Sequence, residues 1–207
     1  MPIKKIWYHC WVSLLNQCMP KKVAQEDKVE YVDDDHTPIK RLFKLRIPSL
    51  MVGLFLGLFL SFVASRFEEV LAKNVAIAFF IPFIVYLAAA VGSQTQTIYV
   101  RDLKTGKANF HTYLIKETIL GIILGSFFSI LTGGIVMAWF KSSELAMAVG
   151  LGVFGAVSVA PVIALVISEI LELEHEDPAV WAGPMATVVQ DTVSVIIFGL
   201  IATAILL

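Results

Sequence analysis

Five runs of apolar residues occupy most of this chain: Ile47–Ser65, Asn74–Val100, Thr118–Phe140, Leu145–Ile170 and Val180–Leu207. Each falls in or above the range of about 17–25 residues that crosses the hydrocarbon slab of a bilayer as a helix. No water is available there, so a segment must satisfy its own backbone N–H and C=O groups, and only helices and closed barrels do so. Unbroken apolar runs of this length point to helices. The second, fourth and fifth are long enough to tilt or break. With 57% hydrophobic residues and a mean hydropathy of +0.79, the composition excludes a soluble globular domain. The expected fold is an all-α integral membrane protein with five transmembrane helices per chain.

Charge is segregated along the chain, so the net charge of −1 says little about partners, and no basic stripe suits a nucleic acid. Lys4, Lys5, Lys21, Lys22, Lys28, Lys40, Arg41, Lys44 and Arg46 precede the first span, and Arg101, Lys104, Lys107 and Lys116 fall in the second connection. The opposite side holds Arg66, Lys73 and Lys141. The excess of Lys and Arg places the N-terminus in the cytoplasm, and an odd number of spans places the C-terminus outside the cell membrane. The connection from Glu169 to Asp177 is then internal and acidic; acids weigh little in this rule.

The first 46 residues read as a separate region. Lys4 and Lys5 ahead of a short apolar stretch look like a signal peptide, but His9, Ser13, Asn16 and Gln17 interrupt it and no small-residue cleavage site follows. Ile3, Trp7, Trp11, Leu14 and Cys18 recur at helical spacing, so an amphipathic helix is expected, lying on the membrane or packed on the protein. Glu26, Asp27, Glu30, Asp33, Asp34 and Asp35 make the following stretch an acidic linker, and Pro38–Arg46 a basic lead-in at the headgroups. Cys10 and Cys18 read as reduced thiols, and with His9 they lack metal-ligand spacing. The division expected is 1–46 and 47–207.

The spans carry polar residues that a lipid-facing helix does not need. Asp191 lies roughly 13 Å along its helix from Ala182, deep in a slab about 30 Å thick. An ionisable group there is costly without water, a cation or a partner. Thr187 and Ser194 share its helical face, with Gln190 alongside, so the last span bears a polar stripe. The alternative is a protonated Asp bonded to a neighbouring helix or used in dimer packing. The second span ends in Gly92-Ser93-Gln94-Thr95-Gln96-Thr97, and the fourth carries Gly150, Gly152, Gly155, Ser158 and Pro161. Either close packing or a water-facing lining explains such residues. Pro82, Pro161 and Pro184 favour local breaks lining a cavity. Gly121, Gly125, Gly133 and Gly134 of the third span read as packing, and Glu117 is expected at the interface or paired with Lys116 or Arg101.

These patterns bear on function. An intramembrane aspartyl protease needs two acids at depth, and one is present; a serine type needs a histidine, and His9, His36, His111 and His175 all lie outside the spans. Two classes stand against an ion pathway: a proton-coupled secondary carrier, and a membrane scaffold.

The run Asp177-Pro178-Ala179 through Gly183-Pro184, Thr187 and Asp191 resembles the last-helix signature of the MgtE family of divalent-cation transporters. Gly92, Ser93, Gln94, the helix-closing Arg101 and the turn Gly106 resemble a second motif of that family. The resemblance covers roughly Arg46 to Leu207. It implies Mg²⁺ transport without a cofactor, through a pore between two copies, with Asp191, Thr187, Gln94, Ser93 and Gly92 along the ion path. Waters of the hydrated ion would also meet carbonyls near the broken helices. Where the family usually has Asn two residues before the glycine, this chain has Ala90. The family's large N-terminal and paired CBS regulatory domains have no counterpart here, so no folded magnesium sensor is implied. Gating is instead expected from acidic clusters, Asp33, Asp34 and Asp35 with Glu172, Glu174 and Glu176, which a divalent ion would draw together.

Overall fold

A computed structural model describes residues 37–173 and 178–207, all within the unit Tyr31–Leu207; the side chains of residues 104, 172–173 and 178–183 are not described. The expected amphipathic helix and the cluster Asp33, Asp34 and Asp35 lie outside these residues, as do Glu174 and Glu176. The described chain is helical: α1 (Ile39–Ser65), α2 (Glu68–Lys73), α3 (Ala76–Lys104), α4 (Phe110–Phe140), α5 (Ser143–Leu173) and α6 (Pro178–Leu206). All but α2 are long and apolar enough to cross a membrane.

The helices outrun their apolar cores mostly on one membrane face. The start of α1, the end of α3, the start of α4 and the end of α5 extend past the expected spans by up to two turns. Hydropathy marks the hydrocarbon slab, whereas backbone hydrogen bonding continues into the headgroup layer, where charged side chains are solvated. The basic lead-in therefore belongs to α1. At the other face α2 was not expected; its six residues have Glu68 and Glu69 in the first turn and Lys73 in the last, matching the helix dipole.

Local chemistry sets the ends. Asn74 Oδ1 accepts from Ala76 N (3.2 Å) at the start of α3, Asn109 Oδ1 from Thr112 N (3.1 Å) at α4, and Ser142 Oγ from Leu145 N (3.2 Å) at α5. Between α3 and α4 the chain reverses through Gly106 at φ 68°, a left-handed conformation that glycine adopts without steric cost.

The central helix is α5. Half of its span is buried, against 6% for α1. It packs against α4, α6 and α3, while α1 rests on α6. The α4 contact is a small-residue seam: at Gly121 the α4 backbone meets the Ser158 carbonyl and the Pro161 ring, and at Gly125 it meets Phe154 O and Ser158 Oγ. Gly133 and Gly150 continue the seam further along. Where lipid tails are as apolar as the side chains, such backbone approach supplies the packing energy. Gly134, also expected to pack, has nothing within 4 Å of its Cβ direction. On the α6 side, Gly152 receives the Phe198 ring and Gly155 receives Ile197.

The local breaks expected at Pro82, Pro161 and Pro184 do not occur: α3, α5 and α6 run through them as continuous helices, as α1 does through Pro48. A proline removes one N–H, and its neighbours' i→i−4 bonds suffice to carry the helix across. Carbonyls freed by breaks at these prolines are therefore not among the groups that the described helices present to an ion.

Candidate functional site

The two helices that carry the polar motifs meet near their midpoints. Gly92 of α3 has no side chain, and its notch is filled by the Gln190 side chain of α6: a Cβ at Gly92 would overlap the Gln190 amide. That amide is 3% exposed and donates from Nε2 to the Ala160 carbonyl of α5 (3.2 Å). One side chain thus pins α3, α5 and α6 together near their midpoints. The sequence placed Gln190 beside Asp191 without disclosing this role, and it changes that of Gly92. In this structure Gly92 is a seat for Gln190, buried beneath it, and not a surface open to an ion.

Asp191 follows Gln190 and lies next to the midpoint of α6. Its Oδ1 is buried with no hydrogen-bond partner. An unpaired carboxylate oxygen in such a place costs free energy that a cation or water would recover. Along its face of α6, Ser194, Val195, Phe198 and Ala202 are buried, whereas Thr187, one turn the other way, is exposed. Asp191 sits at the transition from closed to open.

Across the crossing, Ser93 and Gln94 are exposed on α3. Ser93 Oγ donates to Ala90 O (2.9 Å) and Thr97 Oγ1 to Ser93 O (2.8 Å), so these hydroxyls are satisfied within their own helix. Gln94 presents an amide on the open face. The structure therefore brings Asp191 to the α3 motif through the Gly92–Gln190 contact and leaves Ser93, Gln94 and Thr187 exposed on the surface of the chain. Glu172 lies in the last turn of α5, its side chain outside the description. Among the described residues, no three His, Cys, Asp or Glu side chains gather as a metal cage.

A second polar set ties the end of α3 to the start of α4 and the end of α5. Thr95 Oγ1, buried, donates to Glu117 Oε2 (2.8 Å). One turn on, the fully buried Tyr99 donates its hydroxyl to Glu169. The Tyr99 ring lies edge-to-face on Tyr113, centroids 5.0 Å apart, and Tyr113 donates to Asp102 Oδ2 (2.5 Å), while Asp102 Oδ1 faces Arg101 Nε at 3.1 Å. The partner seen for Glu117 is thus Thr95, in place of the expected Lys116 or Arg101: with α3 and α4 both held on α5, Glu117 turns into the bundle. Thr95 and Tyr99, spaced i, i+4 on the buried side of α3, were the available signal.

Comparison with known proteins follows the same residues. The family model for MgtE, a divalent cation transporter, matches residues 81–201, from the first turns of α3 to the last of α6. The magnesium transporter MgtE of Bacillus subtilis is 30% identical over 162 residues, 77% of this chain and 36% of the relative. That of Enterococcus faecalis is 29% identical over 178 residues, 84% and 39%. That of Thermus thermophilus is 25% identical over 180 residues, 86% and 40%. The chain spans well under half the length of these relatives. With a family match over more than half of its residues, this multi-pass membrane protein belongs to the MgtE family of divalent cation transporters.

Proposed function

We propose that this chain moves divalent cations, Mg²⁺ foremost, across the cell membrane through a path between two copies, with Asp191 as its acidic element. The observation that carries the reading is the buried, unpaired Asp191 oxygen at the midpoint of α6, where the polar face opens toward Thr187. The magnesium transporters among its relatives support the choice of ion.

Mg²⁺ demands near-octahedral oxygen ligation and loses water reluctantly. A path for it does better with one charged group and several hydrogen-bonding groups than with a six-ligand cage. Two Asp191 carboxylates, one from each copy, offset the charge of the ion, and Thr187, Gln94 and Ser93 contact its bound waters. Few strong ligands also let the ion leave, as conduction requires. Gly92 acts at one remove, by seating Gln190 and so fixing Asp191 against α3. The exposed Ser93, Gln94 and Thr187 at membrane depth favour a second copy facing them. Lys and Arg bias favours an internal N-terminus, and the chain acts as a transporter without catalysing a covalent step.

The test is Mg²⁺ uptake into proteoliposomes by wild type and Asp191→Asn. A flux lost at least tenfold in the variant, with the same assembly in detergent, supports the reading; unchanged flux sinks it. A proton-coupled carrier is the second reading, since a buried acid can also carry a proton. It requires uptake that follows an imposed pH gradient.

A further inference from the structure

The α2 end of the bundle has a cleft unconnected with the polar crossing. Both α3 and α4 pack on α5 but scarcely on each other, which leaves a cavity of about 440 Å³ between them. Its floor is Phe80, Thr132 and Val136, all buried; its walls are Phe79 and Phe83 of α3 and Trp139 of α4, all exposed. That volume is in the range of about 300–1,000 Å³ typical of small-molecule sites. We propose that this cleft holds one acyl chain of a phospholipid, with the lipid phosphate at Lys141.

Depth, polarity and charge support this occupant together. From Thr132 to Phe140 the α4 wall runs roughly 12 Å, so the cleft fits within one leaflet of a slab about 30 Å thick. Trp139, 74% exposed in the last turn of α4, marks the level of the interface, where indole rings concentrate. Thr132 supplies a hydroxyl on an otherwise apolar floor. One residue beyond Phe140 of the cleft lining, Lys141 closes α4 with φ 54° and is exposed. Among the described residues its nearest acid in sequence, Glu144, makes no ion pair with it within 4 Å. A cation at headgroup level above an apolar slot one leaflet deep matches an anionic phospholipid and does not match a soluble apolar ligand.

The test is native mass spectrometry of the full chain, delipidated in detergent and titrated with palmitoyl-oleoyl phosphatidylglycerol or the phosphatidylcholine equivalent. Wild type should retain one lipid per chain. Thr132→Leu with Ile135→Trp fills the slot and should weaken retention about tenfold. Phe83→Trp fills it from the other wall and should act alike, so a folding defect in one variant does not decide the matter. Lys141→Gln should weaken phosphatidylglycerol about fivefold, the effect of one lysine near a lipid surface, and phosphatidylcholine less. Equal retention in wild type and both filled variants overturns the proposal. So does a disulfide between chains through Ile135→Cys, which would make the cleft an interface between copies.

Discussion

Asp191 and Gln190 are neighbours in sequence with opposite situations: one polar group is unpaired, the other is locked on three helices. The difference follows from azimuth, since consecutive helix positions point about 100° apart. Sequence alone exposed Asp191, because a single charge in an apolar run stands out. It could not assign Gln190, whose role depends on the glycine facing it from a distant helix. Adding a methyl at Gly92 must therefore displace the Gln190 amide. Gly92→Ala should destabilise the protein by about 1–3 kcal/mol, the usual cost of overpacking. Thermal unfolding in detergent measures it, and combining it with Gln190→Ala should recover part of the loss. A double variant no better than the sum of the singles would show that the two residues do not meet.

Among elements, the decisive contact is the α4–α5 seam. The glycines of α4 were readable as packing residues from their density, and three of them do pack; their periodicity could not separate Gly134, which faces open space, from the rest. The paired test is direct. Gly125→Leu should lower the thermal midpoint clearly, because its Cβ would press on Phe154 O and Ser158 Oγ, whereas Gly134→Leu should leave it nearly unchanged. Equal effects would contradict the seam. The number and order of the spanning helices were legible because a bilayer imposes length. Helix ends and prolines were not: headgroup-layer turns carry no apolar signal, and a helix tolerates a missing N–H when the flanking bonds hold. The hydroxyl–carboxylate set Thr95–Glu117, Tyr99–Glu169 and Tyr113–Asp102 also escaped, because each pair joins separate helices.

At the scale of the whole molecule, a path lined by Asp191 calls for two copies. Cysteines introduced singly at Thr187 or Gln94, in a background with Cys10 and Cys18 replaced by Ser, should cross-link between chains. A strictly monomeric protein that still conducts would contradict this. The proposed internal control is separable from the pore. Neutralising Asp33, Asp34 and Asp35 to Asn, with Glu172, Glu174 and Glu176 to Gln, should make uptake less sensitive to internal Mg²⁺ without altering the affinity of the path; an unmoved inhibition curve would remove these clusters from the mechanism. The central claim rests on one carboxylate. Its most direct measurement is Mg²⁺ uptake into proteoliposomes, with and without a pH gradient, by wild type and by Asp191→Asn at equal reconstitution. Wild-type uptake should not depend on the proton gradient and should fall at least tenfold, about 1.4 kcal/mol or more, in Asp191→Asn. Uptake by Asp191→Asn at the wild-type rate would contradict the claim.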